Sequence, residues 1–246
     1  MNRKIEVVLT PALLPLYQVQ GKNVVIIDVL RATSSICVAF FNGVNKILPV
    51  STPEECMMFK DFDFLCAAER NAIKLPGFDM GNSPFEFQNP LLKERNIAFT
   101  TTNGTKAIKQ SKELGAGKIM VGSFLNINVL VNWLKQQPQD LILLCAGWKD
   151  KANLEDTLFA GAVVQALQDT YTMECDSAMM TQALYNGMQH DLESYVRLSS
   201  HAKRFKALHA AEDDVRFCLQ MNLAPALPLM QGEYLVDVLS GTAQAS

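Results

Sequence analysis

The residues in this sequence that could do chemistry are carboxylates and arginines set at the ends of apolar runs. Asp28 follows Val24-Val25-Ile26-Ile27 directly, so its carboxylate closes a buried strand. An ionised group there needs a cation or several donors to offset its desolvation. Glu69, Asp79, Glu155 and Asp156 are further carboxylates in turn-prone clusters. An all-oxygen set suits Mg²⁺, which takes a few carboxylates together with water and substrate phosphate. Asp28, Glu69, Asp79 and Asp156 are therefore the candidate metal ligands, and no histidine stands beside any of these clusters, which argues against zinc or non-haem iron. Glu155 and Asp156 also have a plainer reading: with Asn153 as N-cap they would sit in the first turn of a helix, where acids are favourable.

The run Thr100-Thr101-Thr102-Asn103-Gly104-Thr105 is rich in hydroxyls, has a glycine for close approach and opens onto a helical pattern. Backbone N–H groups at a helix N-terminus seat anions. Thr101, Asn103, Gly104 and Thr105 are thus candidates to cradle a phosphate, with Ser123 and Gly147 in two further clusters of the same type. Arg31 and Arg70 could add bidentate contacts to phosphate, carboxylate or sulfonate, or could pair with neighbouring acids. Such a set fits phosphoryl transfer. Asp28 is then either nucleophile or metal ligand, Glu155 and Asp156 complete the metal site or act as acid and base, and Arg31 neutralises the transferring oxygens.

These clusters need elements to hold them. Val24–Ile27, Phe64–Ala68, Ile97–Phe99, Ile119–Val121 and Leu141–Leu144 are short continuous apolar runs bounded by turn residues, the pattern of strands buried on both faces. Helical patterns lie between them at Thr105–Leu114, Asn128–Gln136 and Asp156–Gln168. The alternation predicts a layered α/β/α fold with a mixed, largely parallel sheet, closed by a helical region from Asp176 to Leu223 and a last strand near Tyr234–Val238. It also places every polar cluster at the C-terminal end of a strand, so that all of them should meet on one rim. Residues 1–246 read as one unit, with two subdomains allowed.

The composition sets the outer limits. With 246 residues, 49% hydrophobic and 19% charged, the chain can bury a full core without staples. The balance of 22 basic against 25 acidic residues argues against a nucleic-acid binder, and Lys203-Arg204-Phe205-Lys206 reads as a solvated helix face. No stretch approaches a membrane span. The six cysteines form no CxxC pair, and Cys37, Cys66 and Cys145 lie in apolar runs as core residues. Together with the lack of a secretory leader, this predicts a reducing cytoplasm.

Several signatures fail. There is no GxxxxGK[ST] and no GxGxxG, and Gly115-Ala116-Gly117 precedes a strand and reads as a turn. Cys66 and Arg70 lack the spacing of a cysteine phosphatase. Asp28-Val29-Leu30 has the position of an aspartyl-phosphate motif but puts Leu30 where the second Asp belongs, and Asp61-Phe62-Asp63 lacks the apolar strand before it. His190, His201 and His209 fall on the C-terminal helices, where surface or packing roles are expected.

VVIIDVLRATSS (24–35), AAERNAIKLPGFDMGNSPFEF (67–87), TTTNGTKA (100–107), VGSFLN (121–126), and LLCAG with the following Glu155-Asp156 resemble the 2-phosphosulfolactate phosphatases; SSHAKRFKAL and DDVRFCLQ extend the likeness more loosely. The stretch Ala72-Ile73-Lys74-Leu75-Pro76 departs from the glycine-richer run expected there. The resemblance implies an α/β fold and a Mg²⁺-dependent hydrolase taking 2-phospho-3-sulfolactate to 3-sulfolactate and phosphate, a step toward coenzyme M in methanogens. It also brings in Asn82 and Ser83 of GFDMGNSP as substrate-binding residues. The expected partner is a small anionic phospho-acid, with a homodimer allowed. A phosphatase for another phosphorylated hydroxy acid and a non-catalytic binder of an anionic metabolite remain the alternatives.

Overall fold

A computed structural model describes residues 3–70, 73–206 and 212–240. The strands are β1 (Arg3–Val8), β2 (Asn23–Ile27), β3 (Lys46–Pro49), β4 (Phe64–Arg70), β5 (Ile73–Lys74), β6 (Asn96–Thr100), β7 (Lys118–Gly122), β8 (Leu141–Cys145), β9 (Tyr171–Met173), β10 (Pro228–Gln231) and β11 (Tyr234–Asp237). The helices are α1 (Ala32–Phe41), α2 (Pro53–Met58), α3 (Gly104–Glu113), α4 (Ile127–Lys135), α5 (Leu154–Leu167), α6 (Asp176–Met188), α7 (Leu192–Arg197), α8 (Ser200–Lys206) and α9 (Glu212–Cys218). Among the described residues the strands form one sheet in the order β5-β4-β6-β3-β11-β10-β7-β2-β8-β1-β9.

The apolar runs become central strands because both of their faces are covered. In β2, Val25 and Ile27 enter one core while Val24 and Ile26 enter another, and β8 divides Leu141 and Leu143 from Ile142 and Leu144 in the same way. Helices α4, α5 and α6 close the first face through Leu130, Phe159 and Tyr185; α1 and α3 close the second through Phe40 and Ile108. A third cluster, with Cys56 of α2 against Cys66 and Ala98, covers the other end of the sheet. This is the expected layered α/β fold. The predicted helices at 105–114, 128–136 and 156–168 stand at α3, α4 and α5, and the last strand at β11.

One expectation fails, and the hairpin β10–β11 is the reason. The strands β4, β6 and β3 are parallel to one another, as are β7, β2, β8, β1 and β9. Between these blocks β10 is antiparallel to β7, β11 to β10, and β11 to β3, so the blocks run in opposite senses. Gly232 at φ +60° opens the two-residue turn of this hairpin, a conformation that a side chain would strain. The strand ends therefore do not share one rim. Helices bring the clusters together instead: α1 follows β2, α3 follows β6, both pack into the same core, and a Cβ on Gly104 would lie 3.3 Å from Ala32 Cβ. The first residues of the two helices meet.

The divergent stretch 72–76 begins outside the described residues at Ala72 and continues as β5, the antiparallel partner of β4. His209 and the side chains of Arg204, Phe205 and Lys206 also lie outside the described residues, while Lys203 is exposed.

Candidate active site

Asp28 leaves β2 as the chain turns into α1. Its carboxylate accepts the amide of Ala32, and its own N–H donates to Thr33 Oγ1 at 3.1 Å. Its Oδ2 points toward α3, 3.3 Å from where a Cβ on Gly104 would stand, with Thr101 Oγ1 equally close to that point. A side chain there would crowd that approach. The first turns of two ten-residue helices thus meet beside Asp28. In α1 the Ala32 and Thr33 amides are taken up by Asp28 itself, so the N-terminus of α3, with its partial positive charge, is the end suited to an anion.

The acids form a wall around it. Asp156, in the first turn of α5, accepts Val29 N–H at 2.9 Å and Gly147 N–H at 3.0 Å, pinning the loops after β2 and β8 to one carboxylate. Gly147 stands at φ +60°, and a Cβ there would fall 2.3 Å from Lys151 O, so the position requires glycine. Glu69 at the end of β4 accepts from Thr102 N–H at 3.3 Å and Thr102 Oγ1 at 3.1 Å. Glu155 is fully buried and pairs through Oε1 with His201 Nδ1. Burial pushes the Asp28 carboxyl up to about 7, with Glu69 and Glu155 adding repulsion against the opposing pull of His201. Burial, then repulsion from Glu155 and Asp28, raises Asp156 well above the carboxylate range.

Such crowding asks for a cation. Glu155 Oε2 is buried without a hydrogen-bond partner among the described residues, and the donors around Asp28 are oxygens apart from His201. The set fits a hard divalent ion. No three acids, histidines or cysteines among the described residues are gathered into a ready cage. Mg²⁺ is commonly held by one or two carboxylates, with water and substrate completing its shell.

The predicted site residues divide. Asp28, Glu69, Thr101, Gly104, Glu155 and Asp156 come together, and Thr105 closes the turn by donating to Thr101 O at 2.9 Å. Asn103 is the N-cap residue of α3, and its C=O accepts from Ala107 N–H at 3.1 Å. Arg31, at the start of α1, is buried and paired with Asp214 of α9, and Ser83 Oγ donates to that carboxylate at 2.7 Å. Asn82 lies beneath α1, its carbonyl accepting from Ser35 Oγ at 2.9 Å and its Oδ1 buried without a partner among the described residues. Arg70 is half-buried and donates to Glu69 O at 2.6 Å.

Four expectations meet a different arrangement. Asp79 is held away from the acid wall: it accepts Cys66 N–H at 2.8 Å, mid-strand on β4, and faces Lys60 at 3.6 Å. Ser123 is fully buried and caps the short turn Phe124–Asn126, with its N–H on Asn126 Oδ1 at 2.9 Å and its Oγ on Cys37 Sγ at 3.6 Å. That is work within the fold, even though Ser123 follows β7, which runs parallel beside β2 with Gly122 paired to Ile27. The Gly147 N–H is likewise committed to Asp156. His201 corrects the view that no histidine attends the acids; 46 residues separate it from Glu155, and no local spacing could reveal the pair. Asn153 does stand at the N-cap of α5, but without a side-chain capping bond; its Nδ2 lies 3.5 Å from His201 Nδ1.

Fold and site together define an α/β protein in which buried acids crowd beside the first turns of two helices, an arrangement suited to phosphoryl transfer. The family model for 2-phosphosulpholactate phosphatase matches residues 8–233, and the chain belongs to that family. Similar proteins include the probable 2-phosphosulfolactate phosphatases of Thermotoga petrophila, 38% identical over 90% of this chain and 95% of the relative, and of Caldanaerobacter subterraneus subsp. tengcongensis, 37% identical over 85% and 88%. That of Clostridium novyi is 29% identical over 92% and 96%. Membership places the chain among the phosphoric monoester hydrolases.

Proposed function

We propose that this protein hydrolyses 2-phospho-3-sulfolactate to 3-sulfolactate and phosphate, with Mg²⁺ bound at the acid wall. The observation that carries the reading is Asp28 Oδ2, aimed into the mouth between the N-termini of α1 and α3. A phosphoryl group seated on the first N–H groups of α3 would meet this oxygen directly. Asp28 then attacks phosphorus, the bond from phosphorus to the C2 oxygen breaks, and that oxygen leaves with a proton from Glu155, which His201 holds in place. Water next hydrolyses the aspartyl phosphate and releases phosphate. Arg31 faces the charge spread over the equatorial oxygens.

Asp28 and Glu69 are the residues that would hold Mg²⁺, consistent with their crowding. Bound there, the ion would neutralise negative charge on the phosphoryl oxygens. The relatives' printed names supply the choice of 2-phosphosulfolactate. No helix among the described residues is long and apolar enough to cross a membrane, and the six cysteines are free thiols; both support a cytoplasmic enzyme.

The test is phosphate release from 2-phosphosulfolactate, 2-phospholactate, phosphoglycolate and phosphoserine, each in EDTA and in excess Mg²⁺. Turnover confined to Mg²⁺ and fastest on 2-phosphosulfolactate is expected. Full activity in chelator removes the metal, and equal rates across the panel remove the sulfonate from the substrate assignment.

A further inference from the structure

Arg31 and Asp214 are 183 residues apart in sequence, and both are almost wholly buried, at 5% and 1% exposure. Asp214 Oδ2 contacts Arg31 Nη1, and Asp214 Oδ1 accepts Ser83 Oγ at 2.7 Å. One carboxylate thus grips two predicted site residues from two separate loops. The grip is reinforced next door, where Phe217 of α9 stacks at a tilt on Phe85, their ring centroids 5.0 Å apart. A buried guanidinium requires a counter-charge, but a counter-charge alone does not need to reach a second site residue as well. Moreover, a carboxylate on one nitrogen of the planar fork fixes the direction in which its other donors point.

We infer that Asp214 is a positioning residue: it sets the plane of Arg31 for the phosphoryl oxygens and locks the Ser83 loop to the same geometry, so that α9 is part of the site's assembly. This rests on the role proposed above for Arg31. Asp214 touches no reacting atom; it acts through Arg31.

The experiment is a double-mutant cycle on kcat and KM for 2-phosphosulfolactate, with inorganic phosphate binding measured by calorimetry on the same proteins. Asp214→Asn is expected to lower kcat by about 100-fold, the scale of an ångström-level misplacement, with a smaller change in KM. In an Arg31→Ala background the same substitution should cost nothing further. Free guanidinium should restore part of the turnover of Arg31→Ala while Asp214 is present, and none once Asp214→Asn is added. Asp214→Glu, which keeps the charge and shifts the carboxylate by one methylene, carries the test if Asp214→Asn does not fold. Equal losses in both backgrounds, or guanidinium rescue without Asp214, overturn the inference, as does unchanged turnover in both single variants. Should the native protein not turn over 2-phosphosulfolactate, the substrate reading fails by itself. Phosphate binding then decides: weakening by Asp214→Asn that disappears in the Arg31→Ala background supports the positioning role, and unweakened binding ends it.

Discussion

Asp28 combines two demands that pull against each other. Its position closes a buried strand, and its neighbours Glu69 and Glu155 resist its charge, so the carboxyl rises to about 7. An unfolded Asp titrates near 3.9, so between roughly pH 4 and pH 7 the folded chain keeps a proton that the unfolded chain has lost. Without metal, Asp28 should therefore make stability fall as pH rises through that window, by up to about 1.4 kcal/mol per unit, and Asp156, raised well above the carboxylate range, adds to the decline. Urea unfolding in chelator at pH 5 and pH 8 measures the slope, and Asp28→Asn should make it shallower and stabilise the protein at pH 8; a slope left intact by that variant contradicts the assignment. Rapid quench with ³²P-labelled substrate tests the chemistry: acid-stable, hydroxylamine-sensitive label should appear on the native chain and not on Asp28→Asn. If a burst passes with no such label, Asp28 is a ligand and water attacks phosphorus. At this scale the sequence pointed to acids that close apolar runs, Asp28 and Glu69, while Glu155-Asp156 stood out only as acids in a first helical turn. It was silent on His201 and Asp214, whose partners are brought near only by the packing of α8 and α9.

Helix starts, more than strand ends, build the seat. Gly104 begins α3 with Asp28 Oδ2, Ala32 Cβ and Thr101 Oγ1 each 3.3 Å from its missing Cβ, tighter than ordinary contact. Gly104→Ala should fold, since the backbone there makes no unusual demand, but it should push on the group opposite Asp28. Inorganic phosphate, assayed as a competitive inhibitor, should bind about tenfold more weakly to that variant; an unchanged inhibition constant places the anion elsewhere. The strands themselves were legible because burial on both faces leaves unbroken apolar runs, as in β2 and β8. Their relative direction was not, because period and hydrophobicity are the same whichever way a strand runs. Ser123 shows a separate limit: its cluster has the composition of the others and follows a strand parallel to β2, yet its groups are spent capping a buried turn.

For the molecule as a whole, the cores are dense enough to silence most of its thiols. Cys37, Cys56, Cys66, Cys145 and Cys218 are buried while Cys175 is half-buried, and burial pushes the Cys37 thiol up to about 12. The native protein should thus release about one equivalent of chromophore from a disulfide reagent, traced to Cys175 by peptide mapping; early modification of Cys145 would show an opening beside the site. Cys145→Ala should retain measurable turnover. The hairpin is a second structural dependency. Leu235 is fully buried in the core shared with α1 and α3, and Leu235→Ala should lower stability by about 2–5 kcal/mol in denaturant titration. That hairpin also has a consequence for biogenesis. A ribosome that has translated as far as residue 227 has already made every strand of both parallel blocks, yet β3 still lacks β11 and β7 still lacks β10. Until residues 228–237 emerge, the nascent chain carries two open sheet edges that can pair with any other chain, and the interval before that hairpin arrives is when it most needs a chaperone.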